Sequence, residues 1–322
     1  EIWLGLVGSE MCIRDRDTLH QLLDTIRRFV RNRLMPLEEE VASTDQIPES
    51  VISEMRELGL FGLTIPEEYG GGLGLNTEEE CKVAIELGYT SAAFRSVIGT
   101  NNGIGSQGLV MDGTDDQKEN YLPRLASGEI IGSFALTEPN VGSDSANVQT
   151  KAEKDGDSYI LNGTKRWITN ANIANLFTVF ARTDQSQKGS SGVSAFLVDA
   201  NTPGISLSSK YKKMGQQGAH VCDVIFDNCR VPEVNIIGGP NNVNNGFKTA
   251  MKTLDRGRIH ISAFAVGCAK RLIEVSTQFS LEREQFGQSI SNFQMIQAML
   301  AESQTECYAA ETMVFDLSLI HI

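Results

Sequence analysis

Phe134–Asp144 reads FALTEPNVGSD, and further along Lys165–Asn170 reads KRWITN. The first stretch ends an apolar run (Ile130, Ile131, Phe134, Leu136) in a Thr hydroxyl, a Glu-Pro turn and a Gly-Ser-Asp loop. The second sets an indole beside a hydroxyl at the end of an extended segment. Together they offer an aromatic wall, backbone N–H groups and two Thr hydroxyls. A flat ring with polar edges needs that combination, since small-molecule sites are mostly apolar with a few placed polar groups.

Around these stretches, from Ile130 to about Val231, the apolar pattern has a period of two. Asp155-Gly156 and Asn162-Gly163 have the form of hairpin turns. Strands are expected at Ile131–Thr137, Val148–Glu153, Ser158–Leu161, Lys165–Thr169, Leu176–Arg182, Ser194–Val198 and Val221–Phe226. So many short strands predict a small sandwich or barrel. Before this region the period is helical: Leu19, Leu22, Leu23, Ile26, Phe29 and Val30 share one face, and Pro36 closes or kinks that helix. Helices are also expected from Pro48 to Leu58 and across Thr77–Gly88, Ser91–Met111 and Asp115–Ser127. Leu58–Leu75, rich in glycine, reads as a loop. After Gly246 a long helix runs from Phe247 to Arg283, with a possible break at Gly257, and Gly287 stops it. A further helix from Asn292 carries Ile296, Met299, Leu300 and Cys307 on one face.

Gly103–Gly108 spells G-x-G-x-x-G, the form of a dinucleotide-binding turn. That fingerprint needs a strand before it and a full helix after it. Thr100-Asn101-Asn102 precedes it here and Gly113 follows closely, so a close-packed helix using glycines is the better reading, and a nicotinamide dehydrogenase is disfavoured.

The chain has 322 residues, 41% hydrophobic and 21% charged, with a net charge of −13. That size suggests two or three domains of ordinary globular composition. The acidic balance disfavours a general nucleic-acid binder, whose footprint is basic. No apolar run approaches the ~20 residues of a membrane span. The six cysteines (Cys12, Cys81, Cys222, Cys229, Cys268, Cys307) form no C-x-x-C pair. His220 with Cys222 and Cys229 fits no common zinc spacing, so scattered reduced thiols in a reducing compartment are expected. Glu1–Arg16 has no signal-peptide form, and Leu317–Ile322 breaks the preceding helical pattern; both are expected to be non-native flanks.

FALTEPNVGSD and GTKRWITN resemble the flavin-cradling signatures of the acyl-CoA dehydrogenases, and the resemblance runs from about Asp17 to about Phe315. The implied fold is α+β in three parts: a helical domain over 17–129, a β domain over 130–236 and a helical bundle over 237–316. The implied cofactor is FAD. By the same resemblance Thr137 and the backbone of Phe134, Ala135 and Leu136 contact the flavin ring. Ser143 lies where cofactor and CoA approach, Trp167 walls the flavin, and Ile168 and Thr169 complete the WIT contact. Leu254-Asp255-Arg256-Gly257-Arg258 matches the stretch that places Asp255 and Arg258 at the acyl-CoA. Taken without the resemblance, those two residues, three apart, would be a surface ion pair of little worth. Glu282–Gly287 matches E-R-x-x-F-G, and Gln294 follows at the family interval. Arg283, Phe286, Phe293 and Gln294 would then meet the FAD of a neighbouring subunit, the guanidinium fork suiting phosphate or ring acceptors.

The implied reaction oxidises the Cα–Cβ bond of an acyl-CoA thioester to the trans-2-enoyl-CoA. A carboxylate takes an α proton while the β hydrogen leaves as hydride to FAD, and an electron-transfer flavoprotein receives the electrons. Most members carry the base as a Glu beyond the position where this chain stops. A minority carry it immediately before the Arg matched by Arg258, and here that place is Gly257, without a side chain. The expectation is an inactive fragment lacking its base, with Glu138, ahead of Pro139, reading as a turn residue and no substitute. A homotetramer in the bacterial cytosol or mitochondrial matrix is implied. The rival readings are an acyl-CoA oxidase of the same fold, passing electrons to oxygen, and a non-catalytic scaffold.

Overall fold

The computed structural model describes residues 18–72 and 74–320. The expected flank at 1–16, the first residue of the expected helical domain and the final two residues lie outside them. Contacts divide the described chain into two compact units. One holds the residues up to Glu39, Asn76–Ser91 and those from Ile259 onward; the other holds Glu40–Leu75 and Ala92–Arg258.

In the first unit, helix α1 covers residues 18–29 and runs through a π turn (Val30–Leu34) and a 3-10 turn (Met35–Leu37) into α2, Glu38–Thr44. Pro36 therefore bends the path without ending it, as expected where a missing N–H coincides with a tightened turn. Helix α4 (Thr77–Leu87) starts on a capping box, with the Asn76 side chain accepting from Glu79 N and Glu79 reaching back to Asn76 N. Its Cys81, Ala84 and Ile85 pack with Ala263 and Val266 of α8 (Gly246–Glu282) and Cys307 and Val314 of α9 (Gln294–Leu319). The Glu38 carboxylate receives a two-pronged bond from Arg271 at 2.5 and 2.7 Å, together with Thr90 Oγ1 and Ser91 N. Burial pushes the Glu38 carboxyl up, but Arg271 and these donors outweigh it and hold it below the usual range. Helix α9 continues to Leu319 with Ser318 buried, so the break expected at Leu317 is absent. Of the residues expected to share one face of α9, Cys307 is buried and Met299 is 52% exposed.

The second unit contains α3 (Glu49–Glu57), α5 (Ala92–Thr100), α6 (Gln107–Asp112), α7 (Asp115–Ala126) and a seven-stranded sheet. The strands are β1 (Gly132–Ala135), β2 (Lys151–Asp155), β3 (Ser158–Thr169), β4 (Leu176–Arg182), β5 (Val193–Asp199), β6 (Ile205–Leu207) and β7 (Val221–Pro232). The order is β1-β4-β2-β3-β7-β6, with β5 on the other edge of β4. Parallel β1 pairs with one end of β4 (Gly132↔Leu176 to Ala135↔Val179), and β2 touches its other end at Lys151↔Arg182.

Both faces of β4 are covered, and its residues alternate between two cores. Phe177, Val179 and Ala181 join Ala135, Tyr159, Phe196, Val224 and Phe226 inside the curled sheet. Leu176 and Phe180 join Phe134, Leu136, Val193, Leu197 and the helix residues Leu109, Leu122 and Leu125 outside it. A sheet buried on both sides reads as a continuous apolar run, here LFTVFAR.

Asn162-Gly163 is not a turn. β3 runs through it, with a register shift between Leu161 and Gly163. Gly163, at φ +154°, lies where a Cβ would fall 2.5 Å from Thr150 Oγ1, and Asn162 Oδ1 accepts from Asn228 N instead of closing a hairpin. The strand pair expected at Ser158–Leu161 and Lys165–Thr169 is thus one bulged strand. Asp155 pairs with Ser158, so Gly156-Asp157 does close the β2–β3 hairpin.

The helix expected over Ser91–Met111 is interrupted by a π turn at Asn101–Gly105. Asn101 explains why: its Nδ2 donates to the carbonyls of Phe61 and Leu125, and its Oδ1 accepts from Gly132 N. Gly105 packs so closely on β1 that a Cβ would lie 2.8 Å from Gly132 O. The G-x-G-x-x-G run is therefore a packing contact between helix and strand, preceded by helix α5.

Candidate functional site

β1 exits into a tight turn in which Glu138 N donates to Val141 O and Val141 N donates to Glu138 O. β3 lies beside this exit. Arg166 N donates to Thr137 O at 2.7 Å, Lys165 Nζ to Leu136 O at 3.2 Å, and Ser133 Oγ to Thr169 O at 2.7 Å. The TEP stretch and the WIT stretch are thus adjacent. The carbonyls of Leu136 and Thr137 and the N–H of Glu138 are already engaged, and the Thr137 side chain is half-buried.

The geometry turns on a bulge in β3. Lys165 pairs with Val224 and Ile168 with Cys222, so Arg166 and Trp167 together face the single residue Asp223. Trp167 takes φ +57° and its side chain is 60% exposed. A bulky residue at positive φ is an outlier that surrounding structure must hold, and such residues cluster at functional sites. An indole serving the core would be buried; this one is turned outward. Ile168, next in the chain, is buried in the inner core, and Thr169 is half-buried. Asn170, at φ +63°, donates through Nδ2 to Ser96 O at 2.8 Å and fixes the strand end.

Behind the site lies an ion pair that sequence reasoning missed. Lys165 Nζ sits 2.7 Å from Glu138 Oε1, with the side chains 0% and 3% exposed. Glu138 also accepts from Gln149 N at 2.7 Å and Thr150 N at 2.8 Å. It is therefore a buried junction joining the β1 exit to β2 and β3, which corrects its reading as a simple turn residue. Burial pushes the Lys165 ammonium down to about 8 against the pull of Glu138. For Glu138, burial pushes the carboxyl up, and the charge and bond of Lys165 pull it further down, to below its usual range.

Ser143 is exposed on the loop after the turn. Asp255 and Arg258 form an exposed i,i+3 pair on α8. A Cβ on Gly257 would lie 3.3 Å from Ile104 Cγ2.

In the first unit, Arg283 does not continue α8. Glu284-Gln285 (β8) and Gln288-Ser289 (β9) form a hairpin whose two turn residues, Phe286 and Gly287, take φ +53° and +75°. Two positive φ values define the type I′ turn, usually Asn-Gly. Phe286 holds the Asn place with its side chain 93% exposed, edge-on to Phe293 at 6.1 Å. Gln294 follows Phe293 as the first residue of α9. The sequence suggested a helix end with a glycine stop. A phenylalanine at a strained turn was not legible because no propensity favours it there.

Residues 16–129 match the acyl-CoA dehydrogenase N-terminal domain, 133–229 the middle domain and 244–319 the C-terminal domain. The probable acyl-CoA dehydrogenase YngJ of Bacillus subtilis (strain 168) is 41% identical over 297 residues, 90% of this chain and 76% of the relative. A structure described under the electron transferring flavoprotein of Acidaminococcus fermentans matches at TM-score 0.89 and 37% identity, over 94% of this chain and 78% of that one. An acyl-CoA dehydrogenase complexed with FAD from Bacillus anthracis matches at TM-score 0.85 and 36% identity, over 92% and 50%. The chain belongs to the acyl-CoA dehydrogenase family of oxidoreductases.

Proposed function

We propose that the chain binds FAD against the Trp167 bulge and serves the α,β-dehydrogenation of an acyl-CoA thioester. The observation that carries this reading is the outward indole at positive φ beside the β1 exit. A flat heterocycle can lie along that indole while Thr137, Thr169 and the N–H groups of the β1 exit meet its polar edge. FAD, when bound, supplies the hydride acceptor. Ser143, Asp255 and Arg258 are assigned to the thioester side, where an exposed carboxylate and guanidinium can orient a polar CoA arm. Arg283, Phe286, Phe293 and Gln294 are assigned to the FAD of a second copy. The exposed apolar side chains Leu272, Val275, Phe279 and Met299 on α8 and α9 suit a homo-oligomer. Electrons are expected to pass to an electron-transfer flavoprotein. A reducing cytosol or mitochondrial matrix suits cysteines that form no disulfide among the described residues.

Residues 1–322 by themselves are proposed to lack the base. Glu138 is locked to Lys165 and two backbone donors, and Gly257 carries no side chain. The developing enolate needs a carboxylate whose affinity for protons is raised by burial against apolar substrate. The test is octanoyl-CoA with a dye acceptor, on the unmodified chain and on Gly257→Glu, with flavin absorbance and oxygen uptake followed in parallel. Flavin uptake, negligible turnover by the unmodified chain and a gain in Gly257→Glu are expected. Turnover by the unmodified chain equal to that of the variant refutes the missing base. A colourless protein that takes up no FAD refutes the site.

A further inference from the structure

A β-bulge leaves ladder groups without a strand partner, and something must replace them. In β3 the N–H of Arg166 leaves β7 altogether and goes to Thr137 O. The N–H of Trp167 is taken by a side chain, Asp223 Oδ1, at 3.4 Å. Asp223 is the one β7 residue opposite the bulged pair, and it is 7% exposed. The same carboxylate receives Arg166 Nη2 at 3.1 Å and Nε at 3.2 Å. Tyr211 OH reaches both of its oxygens, at 3.0 and 3.1 Å. Its own backbone N–H is held by Ser208 Oγ at 2.9 Å. The Trp167 N–H and the Arg166 guanidinium, one group from each bulged residue, thus meet on this one carboxylate.

We propose that Asp223 is a positioning residue that holds Trp167 in its left-handed conformation and so aims the indole at the ligand face. Asp223 acts through the Trp167 backbone and touches neither cofactor nor substrate. The carboxylate supplies the acceptor that the ladder has lost, and Arg166 and Tyr211 fix its two oxygens so that it cannot rotate away. The inference rests on the flavin-wall reading for its consequence in binding, but the conformational claim stands without flavin.

The test uses the full chain in a Trp3→Phe background, so that Trp167 is the single indole. Two quantities are read: the fluorescence anisotropy and iodide quenching of Trp167 in flavin-free protein, and the Kd for FAD. In D223A the indole becomes mobile, and FAD binds roughly tenfold more weakly as the binding-competent bulge becomes a minor population. D223N keeps an oxygen acceptor for the Trp167 N–H and leaves both readouts within about twofold of the parent, as expected when the acceptor and not its charge matters. R166M removes the guanidinium but leaves Tyr211 OH on both carboxylate oxygens, which suffices to hold the carboxylate, so the Trp167 signal is unchanged. A D223A protein that loses stability while both readouts stay put overturns the proposal. So does loss of the Trp167 signal in D223N or R166M, and these variants decide the matter if D223A does not fold. If W167A leaves FAD affinity untouched, the flavin-wall reading fails; the anisotropy measurement still judges Asp223 separately.

Discussion

Consider removing each member of the Lys165–Glu138 pair in turn and then both. Breaking a buried pair from one side costs about 3–5 kcal/mol. Lys165→Met leaves the Glu138 carboxylate with its Gln149 and Thr150 N–H donors, which places it near the low end, about 3 kcal/mol. Glu138→Leu acts differently. Lys165, already pushed from 10.5 to about 8, sheds its proton at pH 7 for roughly 1.4 kcal/mol more. Two backbone N–H groups are then orphaned, at about 1–3 kcal/mol each. The total is about 3–7 kcal/mol, so the carboxylate side should cost more than the lysine side. The double variant keeps only the orphaned amides and should fall short of the sum of the singles by about 4 kcal/mol, the mark of direct coupling. Urea unfolding followed by circular dichroism measures all three. Costs that add within about 0.5 kcal/mol would refute a coupled pair.

The same pair fixes a pH signature. The lysine value in the fold lies below its ordinary one, so between about pH 8 and 10.5 the unfolded chain binds more protons. Stability of the parent relative to Lys165→Met must therefore rise across that window. Glu138 lies below its ordinary carboxyl value, so its contribution is present above that value and is lost as pH falls through the depressed one.

Trp167→Ala should leave the unfolding free energy within about 0.5 kcal/mol, because the residue is exposed, while FAD affinity drops roughly tenfold; unchanged affinity by titration sinks the flavin wall. Phe286→Asn puts the preferred residue in the type I′ turn and should raise stability by about 0.4–1 kcal/mol in thermal melts, with weaker oligomer-dependent FAD binding as the counterpart. Gly105→Ala forces a methyl onto Gly132 O and Thr100 O, both backbone, and should cost about 1–3 kcal/mol in urea unfolding. Glu38→Gln removes a carboxylate held below its usual range, so its cost should be largest above the ordinary carboxyl value and vanish in acid, as read from melts across pH.

β4 was legible to the residue because a strand buried on both faces leaves an unbroken apolar run between polar ends. The proximity of Thr137 to the WIT strand was also legible, since the pattern of hydroxyls and indole already implied one surface. β3 was split because Asn-Gly is a strong local turn signal, and only the passage past Thr150 and the bond to Asn228 override it. β6 was missed because three largely exposed edge residues carry no periodicity. The role of Glu138 was hidden by the following proline. The sequence marked neither partner, since Glu138 stands between Thr137 and Pro139 and Lys165 between Thr164 and Arg166. Asp223 offered no cue at all, because its importance arises from a two-against-one register that only the pairing reveals.

The π turn at Asn101–Gly105 has a bearing on chemical ageing. Asn102-Gly103 is the dipeptide in which an asparagine most readily closes on the following backbone nitrogen to a succinimide and then deamidates. Here the Asn102 amide is buried and donates to the carbonyls of Leu60 and Ile98 at 2.6 and 3.0 Å. Ring closure would have to break both bonds and unwind the turn. The widened helix thus shields this peptide bond, and deamidation at Asn102 in the folded protein should track how often that turn opens.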